Sequence, residues 1–232
     1  MLHGILVATA LSGRSADPTR TDTLDHLQAA PGWSGLVVQG WHAPSWLGRL
    51  RNAWSFGAIA RRTSEPVLVL RNRAPRPYAR VLVAVDFSDA ALETVRAAAR
   101  CAPGARFTLL HPLDTGMEGY MRRAAVASRF IKRHRRRLQA EARAAFRRFV
   151  YQLRLPDVQF ALRMTPHPER VALRVHAARE NPDLVVVRKP QDGLLGRWLG
   201  ISAAREALAA TRCDLLLVTA GRGLFRPRSN AA

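Results

Sequence analysis

A chain of 232 residues with 48% hydrophobic content has room for one large domain or one and a half ordinary ones, which excludes wholesale disorder. Its 37 basic residues outweigh 17 acidic ones to give a net charge of +20, and only Lys132 and Lys189 are lysines, so the surface carries an arginine-dominated positive potential. Such a potential attracts polyanions without sequence preference, although GC-rich coding yields the same arginine bias.

The opening run Met1 to Ala10 is apolar, but it lacks a positive n-region and leads straight into Gly13-Arg14-Ser15, so it reads as structure and not as a secretory signal. No window reaches the roughly 18–20 continuous apolar residues that span a bilayer. The two cysteines, Cys101 and Cys213, lie far apart without a CxxC or histidine pattern, which supports neither a disulfide framework nor a zinc site. A cytoplasmic protein without membrane attachment is expected.

In chain order, Ile5-Leu6-Val7-Ala8 fits a short strand, residues 21–29 a short helix, and Leu36-Val37-Val38 and Val67 to Leu70 two further strands. A proline-containing linker over residues 73–79 follows. From Arg80 the run Val81-Leu82-Val83-Ala84-Val85 ends at Asp86, as expected of a strand buried on both faces of a parallel sheet. Ser88 is placed to cap a helix over Asp89 to Cys101, which Pro103-Gly104 stops before a strand at Arg106 to His111. The steps of three and four through Ala127, Ile131, His134, Leu138, Ala142, Ala145, Phe149 and Leu153 predict one long helix from Met117 to Arg154, ended by Pro156.

Val158 to Met164 then reads as a strand, and Pro168 to Glu180 as a helix with Val171, Val175 and Ala178 inward. Asn181-Pro182 separates it from a strand at Leu184 to Val187. A loop over 188–200, a helix over 202–210 and a strand at Leu215 to Val218 complete the pattern, with residues 220–232 a mobile basic tail. Alternating strands and helices predict an α/β fold with a doubly wound, mainly parallel sheet, five-stranded in this region, whose ligands bind at the carboxyl ends of the strands.

An internal repeat underlies this order. Residues 36–70 lie without a gap on residues 184–218 at an offset of 148, matching Leu36-Val37-Val38 with Leu184-Val185-Val186 and Gly48-Arg49 with Gly196-Arg197. Residues 1–72 therefore read as a shortened, three-stranded copy of the complete domain at 80–219. So small a half has little core of its own and should dock on the complete one.

The residues Val83-Ala84-Val85-Asp86-Phe87-Ser88, Leu109-Leu110-His111, Asp183 to Val187, Leu199-Gly200-Ile201-Ser202 and Cys213 to Val218 together resemble the universal stress protein family, over about 140 residues. The resemblance implies an adenine-nucleotide α-hydrolase-like fold in which, among ATP-binding members, the aspartate after strand one helps hold the adenosine. A loop of form Gly-x2-Gly-x9-Gly-(Ser/Thr) then wraps the phosphates, where backbone amides must approach closely. Laid on this chain, the loop falls on Arg188, Gln191 and Ile201-Ser202, so side chains stand at every glycine position. The shortened copy keeps Gly40 but has Ala43, Ala53 and Trp54 there, and Ala10 where the aspartate belongs.

The resulting candidate site is a degenerate nucleotide site of Asp86, Ser88, His111, Arg188, Gln191 and Ser202. Arg188 has two readings, pairing a phosphate or filling the cleft against Asp86, and the filled cleft is preferred because nothing replaces the lost glycines. No cofactor is expected, with ATP the alternative ligand. No GxSxG elbow, Walker loop, HExxH or spaced carboxylate pair supports catalysis, weak ATPase activity aside. The five tryptophans, Trp33, Trp41, Trp46, Trp54 and Trp198, are read as packing between the halves.

Between Met117 and Arg154 twelve basic residues face two glutamates, and Arg129, Lys132, Arg133, Arg135, Arg136 and Arg137 form a basic patch. It is either a solvated helix face or a nonspecific grip on nucleic acid; no aromatic platform is evident. His134 on the apolar stripe reads as packed, and His111 and His167 have no carboxylate or cysteine cluster to make a metal site. The leading expectation is a noncatalytic stress-response protein whose halves form an intramolecular pseudo-dimer joined through their terminal strands and which acts on a protein partner. The alternatives are an ATP-binding member, a nonspecific nucleic-acid binder, and further homodimerisation.

Overall fold

Uninterrupted aliphatic strands need cover on both faces, and the chain supplies it from helices on either side of one sheet. The computed structural model describes residues 37–41, 66–71, 77–189 and 213–219. In chain order the elements are β1 (Val37–Trp41), β2 (Val67–Arg71), β3 (Arg80–Ala84), α1 (Asp89–Cys101), β4 (Arg106–Pro112), α2 (Gly116–Arg123), α3 (Ser128–Leu153), β5 (Gln159–Thr165), α4 (Glu169–Glu180), β6 (Leu184–Lys189) and β7 (Asp214–Thr219). The strand expected at residues 5–8, the helices expected at 21–29 and 202–210, and the tail lie outside the described residues.

The strands form one seven-stranded sheet in the order β1-β2-β7-β6-β3-β4-β5. All neighbours run parallel except β2 and β7, which are antiparallel with Leu68 opposite Leu216. β3 has β6 on one side and β4 on the other, so chain order reverses there. One face of the sheet buries Val81, Val83 and Phe107 with Leu92, Val95 and Ala98 of α1 and Phe149 and Leu153 of α3. The other buries Leu82, Ala84, Val185 and Val187 with Ala172, Leu173 and Ala177 of α4.

Two registers coincide. β1 meets β2 with Val37 opposite Val67, and β6 meets β7 with Val185 opposite Leu215. Each residue of the second pair lies at the repeat offset from its counterpart in the first, and the agreement runs on to Trp41 opposite Arg71 and Lys189 opposite Thr219.

α1 begins where Ser88 Oγ accepts from the Ala91 amide at 3.3 Å, and Asp89 sits in the first turn, where a carboxylate suits the helix dipole. Arg154 and Asn181, both left-handed, end α3 and α4 just before Pro156 and Pro182. Buried Asp214 ties the start of β7 to both the end of β2 and the linker, accepting from the Arg71 amide at 2.7 Å and the Tyr78 hydroxyl at 2.8 Å. Burial first, and then the Asp214 charge, hold the Tyr78 phenol well above its ordinary value.

Two expectations are corrected. The stretch from Met117 to Arg154 is not one helix: it breaks at Ala124 to Ala127, with Ala125 in the left-handed region at φ 52°. The reason is tertiary. Buried Glu118 of α2 accepts two bonds from Arg135 of α3, from Nε at 2.9 Å and from Nη2, with Arg122 3.9 Å away. In a straight helix residues 118 and 135 would stand about 26 Å apart, so the pair exists only because α2 folds back. The second correction concerns α4, which buries Ala172, Leu173 and Ala177 and leaves Val175 42% exposed. Its apolar residues form two stripes on opposite sides of the helix, and the sheet takes the one that leaves His176 half-buried and bonded to Glu180 at 3.0 Å.

Candidate functional site

β3, β4 and β6 deliver three of the singled-out side chains to the same end of the sheet. β3 runs into Val85 and Asp86, and the next residue, Phe87, turns the chain in the left-handed region at φ 59°. An aromatic residue rarely adopts that conformation; here its ring lies 4.4 Å from the His111 ring and 5.4 Å, edge-on, from Phe149 of α3. His111 near the end of β4 hydrogen-bonds the Val85 carbonyl through Nδ1 at 3.0 Å. A carbonyl only accepts, so Nδ1 carries the proton.

Both Asp86 oxygens are engaged. Oδ1 accepts from the Ser88 amide at 3.1 Å and the Ser88 hydroxyl at 2.6 Å, while Oδ2 accepts from Arg188 Nη2 at 2.6 Å. The side chains are half-exposed, Arg188 at 31% and Asp86 at 51%. Burial disfavours the Asp86 charge, but the Ser88 hydroxyl, its amide and Arg188 together outweigh it and hold the carboxyl below its ordinary value. Glu169, exposed at the start of α4, is close enough to feel both charges of the pair.

The position is where parallel α/β sheets bind ligands: the carboxyl ends of strands, at the point of reversal. A separate hollow of about 290 Å³, lined in part by Arg80, Arg106, Thr108, Gln159 and Glu180, lies at the amino ends of β3, β4 and β5, the opposite pole. Among the described residues no group of three or more His, Cys, Asp or Glu converges as metal ligands, and no helix is long and apolar enough to cross a membrane.

A model of the universal stress protein family matches residues 77–219, more than half of the chain. The chain belongs to the universal stress protein family.

β1 and β2 lie before the matched region. Among solved structures, a universal stress protein from Archaeoglobus fulgidus is 13% identical, with 86% of this chain and 66% of that chain covered and a TM-score of 0.50. A Pseudomonas aeruginosa protein described as functionally unknown is 16% identical over 89% of this chain and 69% of its own, with a TM-score of 0.51. A universal stress protein in complex with cAMP is 21% identical over 62% of this chain and 98% of its own, with a TM-score of 0.45. At such identities the likeness is one of fold. A search of curated proteins finds no match.

In this universal stress protein Asp86, Ser88, His111 and Arg188 are brought together; Gln191 and Ser202 lie outside the described residues. The basic patch divides. Arg135 turns to Glu118 and Arg137 to Glu141, whereas Arg129, Lys132, Arg133 and Arg136 extend into solvent. Sequence reasoning missed Phe87 and Glu169. A bulky residue between Asp86 and the capping Ser88 was the available signal for the first; no local pattern marks the second, which reaches the site only through the crossover from β5 to α4.

Proposed function

We propose that this universal stress protein is a noncatalytic binding protein of the stress response, with a nucleotide cleft closed by its own side chains and activity exerted through a protein partner. The observation that carries this reading is the 2.6 Å ion pair between Arg188 and Asp86. The carboxylate that would hold an adenosine already has two donors, Ser88 and Arg188, and a nucleotide would have to displace the guanidinium. As they stand, the residues present do not fit the nucleotide. The alternative is that a nucleotide recruits Arg188 to its phosphates; the 31% exposure of that side chain gives it room to turn.

Titration with ATP and magnesium separates the two. The wild-type protein should show no micromolar binding. Micromolar binding that Asp86→Ala abolishes and Arg188→Ala weakens would establish the nucleotide reading instead.

The same proposal takes residues 1–72 as a shortened copy whose terminal strand docks on that of the complete domain. It is supported by the coincident registers of β1–β2 and β6–β7 and by the pairing of Leu68 with Leu216, residues equivalent under the repeat. Val67 faces Leu217 and Val69 faces Leu215, so exchanging the copies returns the same pairs, the mark of a pseudo-two-fold. A reducing, cytoplasmic setting accords with the burial of Cys101 and Cys213 in the core; burial pushes the Cys101 thiol up to about 12.

A further inference from the structure

We infer that the outward face of α3 is a binding surface for single-stranded nucleic acid. The helix has two faces of different chemistry. Ala142, Phe149 and Leu153 turn into the core, and among the residues of α3 before Ala142 none is buried. On the opposite side Arg129, Arg133, Arg136, Arg143 and Arg147 are all exposed and follow one another at steps of three, four and seven, a single stripe along the helix. The stripe runs about 27 Å, long enough to lie along several nucleotides.

Three observations favour a polyanion over a merely solvated face. The glutamates of this region are committed elsewhere, Glu118 to Arg135 and Arg122, Glu141 to Arg137, and no acidic side chain lies on the stripe itself. Lys132 flanks the stripe and adds to its field. Among the described residues no ion pair holds any of the five arginines; the guanidinium of Arg129 instead lies 5.0 Å from the Phe130 ring.

The choice of a single strand over a duplex comes from two exposed aromatic side chains near the ends of the stripe. Tyr151, one turn beyond Arg147, is 86% exposed, and Phe130 beside Arg129 is 47% exposed. Rings left in water at both ends of an arginine stripe offer faces on which unpaired bases stack, and such stacking is tolerant of sequence. A duplex keeps its base faces covered, and an anionic membrane would call for an apolar stripe on the outward face, which α3 does not have.

Fluorescence anisotropy with a labelled oligothymidylate, the matching duplex, and vesicles of mixed neutral and anionic phospholipid tests this across a salt series. The wild-type protein should bind the single strand more tightly than the duplex. The slope of log K against log salt should be roughly −3.5 if five phosphates are contacted, at about −0.7 per phosphate. The triple variant Arg129→Ala, Arg133→Ala, Arg136→Ala should flatten the slope by about 2 and weaken binding at least tenfold at low salt. Tyr151→Ala should weaken binding with the slope unchanged, a split that loss of fold would not produce, and thermal melts of both variants should match the wild type. Equal or tighter binding of the duplex, binding of vesicles without the oligonucleotide, or an unaltered slope in the triple variant would overturn the proposal.

Discussion

Asp86 uses both carboxylate oxygens within the protein, one for the turn into α1 and one for β6 through Arg188. A single side chain thus fixes the helix cap and bridges adjacent strands, and its charge state bears on stability. Its carboxyl is held below the ordinary value, so the native state favours the ionised form. The stabilisation is therefore fully present above the unfolded value of about 3.9 and is lost as pH falls through the lower native value. Because the pair is half in water, its worth stays below about 1 kcal/mol. Denaturant unfolding of the wild type and of Asp86→Asn should differ near neutral pH and converge well below about pH 4. A gap that does not change with pH would mean that the carboxylate charge contributes nothing.

At the scale of elements, the break between α2 and α3 depends on Glu118. α2 offers little else: of its residues only Glu118 is buried, while Met117 and Tyr120 are 55% and 69% exposed. Bonding to Arg135 holds the Glu118 carboxyl below its ordinary value against the cost of desolvation. Glu118→Gln should therefore release α2 from α3, and amide exchange should quicken several-fold over 116–123 while the sheet keeps its protection. Unchanged protection in α2 would show that the backbone turn at Ala125 holds the hairpin alone. This element also marks the limit of sequence reasoning. α1 was legible to the residue, because Ser88 caps it and Pro103-Gly104 stops it. Ala124 to Ala127 contains no glycine or proline, and the ion pair that bends the chain joins positions 17 apart, which no helical spacing reveals. α4 was misjudged by about half a turn of rotation for a related reason: apolar residues lie around much of its circumference, and only the sheet selects a face. At the candidate site the meeting of Asp86 with Arg188 could be foreseen because each follows or closes an apolar run in adjacent strands, whereas Glu169 arrives from an element whose approach depends on the crossover.

For the whole molecule, the decisive feature is which edges of the sheet are open. Taken alone, the strands of residues 80–219 would leave one edge of β7 with unpaired backbone groups along Leu215 to Leu217, residues that are themselves almost wholly buried in the full chain. β2 covers that edge antiparallel, in a register that turns about Leu68 and Leu216. Since those two leucines stand 148 residues apart, the offset of the proposed repeat, a second β7 has the geometry to replace β2, with Leu216 opposite Leu216 and Leu215 opposite Leu217. A chain beginning at residue 77 should accordingly associate in pairs through β7, measurable as a doubled mass by light scattering after size exclusion. The full-length chain, its edge already covered, should not associate there. Leu216→Lys in the shortened chain should return it to a monomer by setting like charges opposite each other across the new pairing. A shortened chain that stays monomeric and melts at the temperature of the full-length protein would mean that β2 contributes neither pairing nor stability, and that the seven-stranded sheet is two neighbours side by side.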